Sequence, residues 1–262
     1  TLKKHDSILV NRKTVFTNYL LNADEVITLD LNYAEESDNI IPTAMPLSII
    51  YEDEALLILD KPAGIPVHPS LHYYENSLSN GVKYYFTQIG LNKKIRPVNR
   101  LDKDTSGLVL FAKNEYVQES LIKQMQTKDF VKEYIALITG HLTQKSGTIC
   151  APIARKSDSI IERIISPNGE IAITHYTRLK DFSDFSLVRF ALETGRTHQI
   201  RVHAKFIGHP LLGDTLYGNS SPLIHRQALH AFHISFFHPI THQKLSLYAP
   251  LPKDMKKILE QL

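Results

Sequence analysis

Strand-like segments that occur in neighbouring pairs are the feature of this sequence that most constrains its fold. Each segment alternates or concentrates apolar residues and is bounded by turn-forming residues, which is typical of β-strands. The candidate strands are 7–11, 25–31, 48–53, 55–60, 107–112, 130–138, 174–179, 185–192, 229–236 and 244–248. The candidate helices are 116–128, 197–206 and 254–262. Because strands and helices do not alternate regularly, we predict an α+β fold with a mixed, largely antiparallel central sheet and flanking helices.

The first 46 residues are predicted to form a separate unit. Their two strand-like segments are followed by a polar stretch at 35–39 and by Pro42 and Pro46, a composition that is typical of a linker. We therefore predict two domains, 1–46 and 47–262. A chain that begins with Thr1 is also expected to lack its native N-terminus.

The composition is that of an ordinary globular protein. Hydrophobic residues make up 43% and charged residues 22% of the 262 positions, which excludes disorder as the main state. Cys150 is the only cysteine, so an intrachain disulfide and a thiolate metal cluster are excluded, and the reducing cytoplasm is favoured. No apolar run approaches the roughly 18 residues of a membrane span, and neither a membrane span nor a secretory signal is expected. The net charge of +3 permits an RNA partner without requiring one.

A carboxylate on a turn before a buried strand is the first candidate for catalysis. Residues 99–107 read NRLDKDTSG and lead into the candidate strand 107–112. Asp102 is thereby presented at the edge of the predicted sheet, where a nucleophile or a general base can act. The same residue types also form ordinary turns through local hydrogen bonds, so composition alone favours a structural turn.

A basic helix start is the second candidate. Residues 194–203 read TGRTHQIRVH, and if Thr197 caps a helix, His198 and Arg201 share one face near its positive end. Together with Arg196 they would suit a phosphate or a buried carboxylate, and a solvated basic helix start is the alternative. A metal site is disfavoured because the histidine spacing matches no zinc motif. Tyr134, taken by itself in an apolar strand, indicates a core residue.

Taken together, five segments resemble motifs of the RluA-type pseudouridine synthases. They correspond to the upstream loop, the aspartate motif, the tyrosine motif, the arginine motif and the loop that follows it. In that order they are 61–64 (KPAG), 100–107 (RLDKDTSG), 132–136 (KEYIA), 195–203 (GRTHQIRVH) and 208–218 (GHPLLGDTLYG). The resemblance extends over residues 47–255, and the motifs stand in the order of the family.

The resemblance implies an enzyme that isomerises uridine to pseudouridine within RNA, with no cofactor and no metal. In this reaction a C–N glycosidic bond is broken and a C–C bond is made to the same ribose. Asp102 is implied as the essential carboxylate, Arg201 as its bidentate partner, and Tyr134 as the residue that stacks on the uracil and helps to remove the C5 proton. The carboxylate could attack C1′, add to C6 or abstract a proton from C2′, and the sequence leaves all three open.

RNA contacts are implied around these three residues. Arg100 is expected to fill the space left by a base that flips out of its stack. The remaining residues predicted to contact RNA are Lys93, Lys94, Arg96, Lys132, Arg196 and His198. Ribosomal RNA is the predicted substrate, with tRNA as the alternative, and the enzyme is expected to act as a monomer in the cytoplasm.

Two stretches depart from the family pattern or extend it. Asn99 stands where the family usually has His, and this favours the alternative function, a catalytically inactive RNA-binding factor for ribosome assembly. Residues 8–31 resemble the end of an alpha-L RNA-binding module, with Arg12 in place of Gly in its turn, and the helices expected before it are not in this chain.

A glycosidase that uses Asp102 and Asp104 is disfavoured because the chain has no tryptophan to form a sugar platform.

Overall fold

Fifteen strands and four helices make up the part of the chain that the computed structural model describes, residues 7–31, 33–35, 40–70 and 73–260. The strands are β1 (Ile8–Val10), β2 (Lys13–Thr14), β3 (Ile27–Leu29), β4 (Ile49–Glu52), β5 (Leu56–Lys61), β6 (Arg96–Pro97), β7 (Ser106–Ala112), β8 (Val131–Thr139), β9 (Ser146–Cys150), β10 (Ile153–Arg155), β11 (Arg163–Ile165), β12 (Ile173–Asp181), β13 (Phe185–Leu192), β14 (Leu229–Phe237) and β15 (Lys244–Tyr248). The helices are α1 (Leu78–Gln88), α2 (Glu115–Gln124), α3 (Gln199–Phe206) and α4 (Lys253–Glu260). No helix in these ranges is long and apolar enough to cross a membrane.

The central sheet has ten strands and is mixed, which confirms the predicted α+β fold. Its main order is β4-β5-β7-β14-β8-β13-β12-β9, with β6 paired to β7 and β15 paired to β14. Neighbouring strands run antiparallel apart from β7 and β14, which are parallel. Ala231 on β14 pairs with Gly107 at the start of β7 on one side and with Tyr134 on β8 on the other. The loop before β7 and the middle of β8 therefore meet at β14.

Gly107 permits this close approach of β7 to β14. Its φ is +114°, and a Cβ atom added there would lie 2.2 Å from the carbonyl oxygen of Ala231. A larger residue would have to push the two strands apart, because the obstacle is backbone rather than a flexible side chain. The position of the aspartate loop beside β14 consequently depends on this glycine.

Helices cover both faces of the sheet. Adjacent residues of a strand point to opposite faces, so each strand contributes alternate residues to the two clusters beneath these helices. On one face α1 and α3 pack against alternate residues of β5, β7 and β8, a cluster that includes Val82, Phe86, Ala136 and Ile200. On the other face α2 packs against β5 and β7, and α4 packs against Ile135 and Leu137 of β8. Tyr134 lies on the same face as α1 and α3.

Lys93 and Arg96 hold the chain that follows the first three strands, which form a separate sheet in the order β2-β1-β3. The ammonium of Lys93 donates to the carbonyls of Leu31 and Tyr33 at 2.7 and 2.6 Å, and Arg96 Nη1 donates to Glu35 Oε2 at 2.7 Å. The two basic residues are only 5% and 8% exposed and have protein partners, so the predicted phosphate contacts at Lys93 and Arg96 find no free basic group there and stay a prediction. Of the predicted linker, residues 36–39 lie outside the described residues, and the division at residue 46 stays a prediction.

Acidification is expected to weaken this attachment. Burial opposes ionisation of Glu35, but the hydrogen bonds and charge of Arg96 outweigh burial and hold the pKa of Glu35 below its ordinary value of 4.5. A carboxyl with a lowered folded-state pKa stabilises the fold above its unfolded pKa, and that contribution is lost as the pH falls through the folded value. Hydrogen exchange should therefore show β3 losing protection below pH 4.5. In Glu35→Gln the protection should already be low at neutral pH, and an identical pH profile in both proteins would contradict the assignment.

Candidate active site

Asn99 fixes the start of the loop that carries Asp102. Its Oδ1 accepts a hydrogen bond from the Leu110 N–H at 2.8 Å, and its Nδ2 donates to the Leu108 carbonyl at 3.0 Å. The amide thus extends the hydrogen bonding of β7 in a way that needs one donor and one acceptor on a single side chain. The residue that departs from the family pattern has a structural role in holding this loop.

Lys61, at the end of β5, fixes the turn next to Asp102. Its fully buried ammonium donates to the carbonyls of Pro62, Ile65 and Lys103 at 2.8, 2.9 and 2.9 Å. Burial lowers the pKa of Lys61 to about 7. Because three carbonyl oxygens satisfy the ammonium, one residue ties the loop after β5 to the turn that presents Asp102.

Arg201 lies between two carboxylates, and its bidentate partner differs from the predicted one. Its Nη1 donates to Asp102 Oδ2 at 3.1 Å, whereas Nε and Nη2 donate to Asp214 Oδ2 and Oδ1 at 2.7 and 2.8 Å. Arg201 and Asp102 are therefore in contact as expected, but the bidentate pair is formed with Asp214. Burial opposes the charged guanidinium, but the hydrogen bonds and charge of Asp214 outweigh it and raise the pKa of Arg201 above its usual range.

His198 precedes α3 in a strained backbone conformation. The helix begins at Gln199, with His198 rather than Thr197 at the cap position and with no side-chain cap. The φ of His198 is +58°, in the left-handed region that residues other than glycine rarely occupy. Such strain persists only where the surroundings hold the residue, and it is concentrated at functional sites.

The two ring nitrogens of His198 face different groups, the Tyr217 hydroxyl and the Asp102 carboxylate. The Tyr217 hydroxyl accepts from the Arg163 N–H at 2.8 Å, so its own hydrogen is available to His198 Nδ1, also at 2.8 Å. Burial lowers the pKa of His198, which favours the neutral ring. Nε2 faces Asp102 Oδ2 at 3.7 Å, which is beyond hydrogen-bond distance.

Tyr134 is placed by β8 with its ring in the same pocket as Asp102. Only 8% of the residue is exposed. Burial, assisted by the charge of Asp102, raises the pKa of the Tyr134 phenol well above its ordinary value. The hydroxyl is therefore protonated at neutral pH.

The pocket brings together residues from distant parts of the chain. Arg100, Asp102, Tyr134, His198 and Arg201 all line it, as does Arg196 at its rim. Arg100 and Arg196 are exposed, but Arg196 also pairs with Glu170. Lys132 is 7% exposed and lines an adjoining cavity, and Lys94 is half-buried. In the described ranges no group of three His, Cys, Asp or Glu side chains is placed to hold a metal ion.

Three residues that support the site were given no role by the sequence. Asp214 and Tyr217 belong to the segment 208–218, which was recognised only as the loop after the arginine motif, and Lys61 belongs to the upstream loop. Asp214 has a side chain that is 0% exposed beside Arg201, and the Tyr217 ring lies 5.0 Å from the guanidinium carbon. A buried carboxylate near a basic motif is the signal that could have indicated Asp214.

Known proteins with similar sequences are named as pseudouridine synthases. Residues 55–206 match the family model described as RNA pseudouridylate synthase. The RNA pseudouridine synthase YjbO of Bacillus subtilis (strain 168), described as uncharacterized, is 39% identical over 252 residues, which are 96% of this chain and 89% of that protein. Ribosomal large subunit pseudouridine synthase D of Escherichia coli (strain K12) is 37% identical over 240 residues, 86% of this chain and 73% of that protein.

A solved structure, human RNA pseudouridylate synthase domain containing 4, has the same fold. Its TM-score is 0.67 at 24% identity, covering 82% of this chain and 92% of that chain. The chain therefore belongs to the RNA pseudouridine synthases, which are isomerases that act on RNA. Within that class its relatives and its motifs place it in the RluA-type family, as the sequence predicted.

Proposed function

We propose that this enzyme isomerises a uridine of large-subunit ribosomal RNA, with Asp102 as the essential carboxylate and the target base flipped into the pocket. The observation that supports this most directly is that Asp102, Tyr134 and Arg201, which are far apart in the sequence, line one pocket. The names of several relatives, such as ribosomal large subunit pseudouridine synthase D, support the choice of RNA. A single exposed cysteine is compatible with action in the cytoplasm.

Asp102 is proposed to react through Oδ1. Its Oδ2 accepts from Arg201 and faces the Nε2–H of His198, whereas no donor among the described residues reaches Oδ1. Oδ1 is then free to attack C1′, to add to C6 or to take the C2′ proton. Each route breaks C1′–N1, forms C1′–C5, releases the C5 hydrogen as a proton and returns one proton to N1. Atoms and electrons therefore balance without a cofactor.

Arg201 and His198 are proposed to orient Asp102 rather than to react. The guanidinium is locked by Asp214 through two hydrogen bonds, so its remaining N–H is aimed at Oδ2 with little freedom. His198 is assigned the tautomer in which Nδ1 accepts from the Tyr217 hydroxyl and Nε2–H points toward the same oxygen, 3.7 Å away. The hydrogen bond from Arg201 fixes one carboxylate oxygen, the charge-neutral ring of His198 lies beside the same oxygen, and the other oxygen accepts no hydrogen bond from the described residues.

Tyr134 is proposed to stack on the uracil and to relay the C5 proton, and Tyr134→Phe separates the two roles. Phenylalanine retains the ring and loses the hydroxyl, so RNA affinity should be retained while turnover falls by about 100- to 1000-fold, in the range of general acid–base catalysis. Tritium release at saturating RNA measures turnover, and filter retention measures affinity. Unchanged turnover in Tyr134→Phe would restrict Tyr134 to stacking.

Base flipping requires a group that occupies the vacated position in the RNA. Arg100 is exposed at the pocket mouth, two residues before Asp102, and its planar guanidinium can stack on the neighbouring bases. Extruding a base costs a few kcal/mol and costs least in an unpaired loop, so a loop uridine is the proposed target. Phosphate contacts are assigned to Arg196 and Lys94, in place of the buried Lys93 and Arg96.

The choice of RNA is tested by tritium release from transcripts labelled at C5 of uridine. Unmodified large-subunit ribosomal RNA and a tRNA pool are incubated side by side with the wild-type enzyme. We expect release from the ribosomal RNA, and release from the tRNA pool alone would overturn the proposed substrate. Binding without release from either RNA would support the alternative, an inactive assembly factor. The structural role of Asn99 removes the sequence feature that favoured that alternative.

A further inference from the structure

A second cavity adjoins the uridine pocket and shares Arg100, Tyr134 and Leu192 with it. Its polar lining includes His68, Asn99 and Lys132, and no Asp or Glu side chain lines it. The basic groups lie close enough to affect one another, since burial and then the charge of Arg100 lower the pKa of His68. The cavity is therefore a partly enclosed space with positive charge and no described counter-charge.

Lys132 is the residue that makes this cavity unusual. It is 93% buried, being only 7% exposed, and none of its described neighbours forms a hydrogen bond or an ion pair with its ammonium. It lies two residues before Tyr134 on β8, so the two side chains point to the same face of the strand. Its ammonium lies at the cavity instead of on a protein partner, so an anionic ligand there would meet a positive charge that no described carboxylate neutralises.

Gly195 leaves room beside the Lys132 ammonium. A Cβ atom added at Gly195 would lie 3.6 Å from Lys132 Nζ, and both residues line the cavity. The ammonium thus faces the cavity next to the loop that carries Arg196 and His198. The lining also includes the apolar residues Pro97, Val98 and Met125, which are called the apolar wall below.

We propose that this cavity binds the nucleotide next to the target uridine, with its phosphodiester on Lys132 and its base against the apolar wall. The inference rests on the proposed function, because it needs a uridine in the adjoining pocket. A phosphodiester would supply a negatively charged partner for the Lys132 ammonium. Because the two cavities share lining residues, we assign this phosphodiester to the nucleotide adjacent to the flipped base. The sequence predicted an RNA contact at Lys132 without indicating which group of the RNA it meets.

Lys132→Gln tests the site through the salt dependence of RNA binding. Each phosphate contact contributes about 0.7 to 0.9 to the slope of log affinity against log salt concentration. The variant should reduce the slope by about one such contact and weaken binding roughly tenfold at low salt. Lys257→Gln removes the same charge from an exposed position on α4, on the opposite face of β8, and should leave the slope unchanged. Circular dichroism of both variants is the control for correct folding.

A second measurement uses the wild-type enzyme and a chemically altered RNA. The modified uridine is located after wild-type reaction, and neutral methylphosphonates then replace the phosphates on either side of it one at a time. One replacement should weaken wild-type binding about tenfold and should have no further effect in Lys132→Gln. The phosphate site alone would be overturned if every methylphosphonate weakened binding by the same factor in Lys132→Gln as in the wild type. It would also be overturned if Lys132→Gln showed the wild-type salt slope on an RNA that the wild type modifies. Absence of tritium release from every RNA would instead overturn the proposed function.

Discussion

Asp102→Asn is expected to lower tritium release by about 10,000-fold or more, while RNA affinity stays near the wild-type value. Asparagine has nearly the same shape and can still accept the hydrogen bond from Arg201 Nη1. It carries no negative charge, so it can neither attack the ribose or base nor remove a proton. The fold should persist because Arg201 keeps its bidentate partner, Asp214.

Asp104→Asn is the matched control for Asp102→Asn. Asp104 lies in the same turn, but its side chain is 40% exposed and its nearest basic group is Lys103 Nζ at 3.9 Å. This variant should release tritium at close to the wild-type rate, which also separates the isomerase from an acid–base pair of the two aspartates. Equal loss of activity in both variants would assign the effect to the loop and would contradict the role of Asp102.

The strands were predicted well where burial leaves a local pattern. The neighbouring candidate strands 48–53 and 55–60 form the antiparallel pair β4 and β5, and every residue of β7 is buried, as its apolar run indicated. Helix α1 was missed because its sequence contains Gly81 and aromatic residues, which have modest helix propensity. Its stability comes from a capping box at Ser77 and from burial of Val82 and Phe86, and neither is evident from propensity alone.

Gly81 shows why tertiary contacts decide this helix. A Cβ atom there would lie 2.5 Å from the Cγ of Met45, so the segment before β4 packs directly on the helix backbone. That approach requires glycine at a position where a helix by itself would prefer alanine. The local pattern therefore reflects a contact made 36 residues away in the sequence, between positions 45 and 81.

The sequence indicates candidate site residues through residue identity, and it gives no indication of the long-range pairing of individual side chains. The motifs indicated that Asp102, Tyr134 and Arg201 act together, and the three do line one pocket. Lys93 and Arg96 have the same local composition as an RNA-binding stretch. Their partners, the carbonyls of residues 31 and 33 and the carboxylate of residue 35, lie about 60 residues earlier, as measured by separations of 62, 60 and 61. Nothing local distinguishes a buried lysine from one that binds phosphate.

Asp214→Asn is expected to destabilise the protein by about 3–5 kcal/mol, the cost of breaking a buried ion pair. The side chain of Asp214 is 0% exposed and that of Arg201 is 9% exposed, so water cannot replace the lost carboxylate. The Oδ1 atom of Asp214 also accepts from the N–H groups of Leu216 and Tyr217, at 3.1 and 3.2 Å. The amide would present an N–H group to the guanidinium at one of the two positions that now accept from it.

Asp254→Asn distinguishes burial from bidentate geometry as the cause. Asp254 accepts from Arg226 Nε and Nη2 at 2.7 and 2.9 Å, which is the same arrangement, but its side chain is 40% exposed. Because solvent screens this pair, its loss should cost about 1 kcal/mol or less in urea unfolding. Equal destabilisation by the two substitutions would show that burial of Asp214 does not increase the contribution of its ion pair to the free energy of unfolding. If Asp214→Asn is the more destabilised and the fraction that remains folded also turns over slowly, then the Asp214 carboxylate aims Arg201 at Asp102 as well as neutralising it.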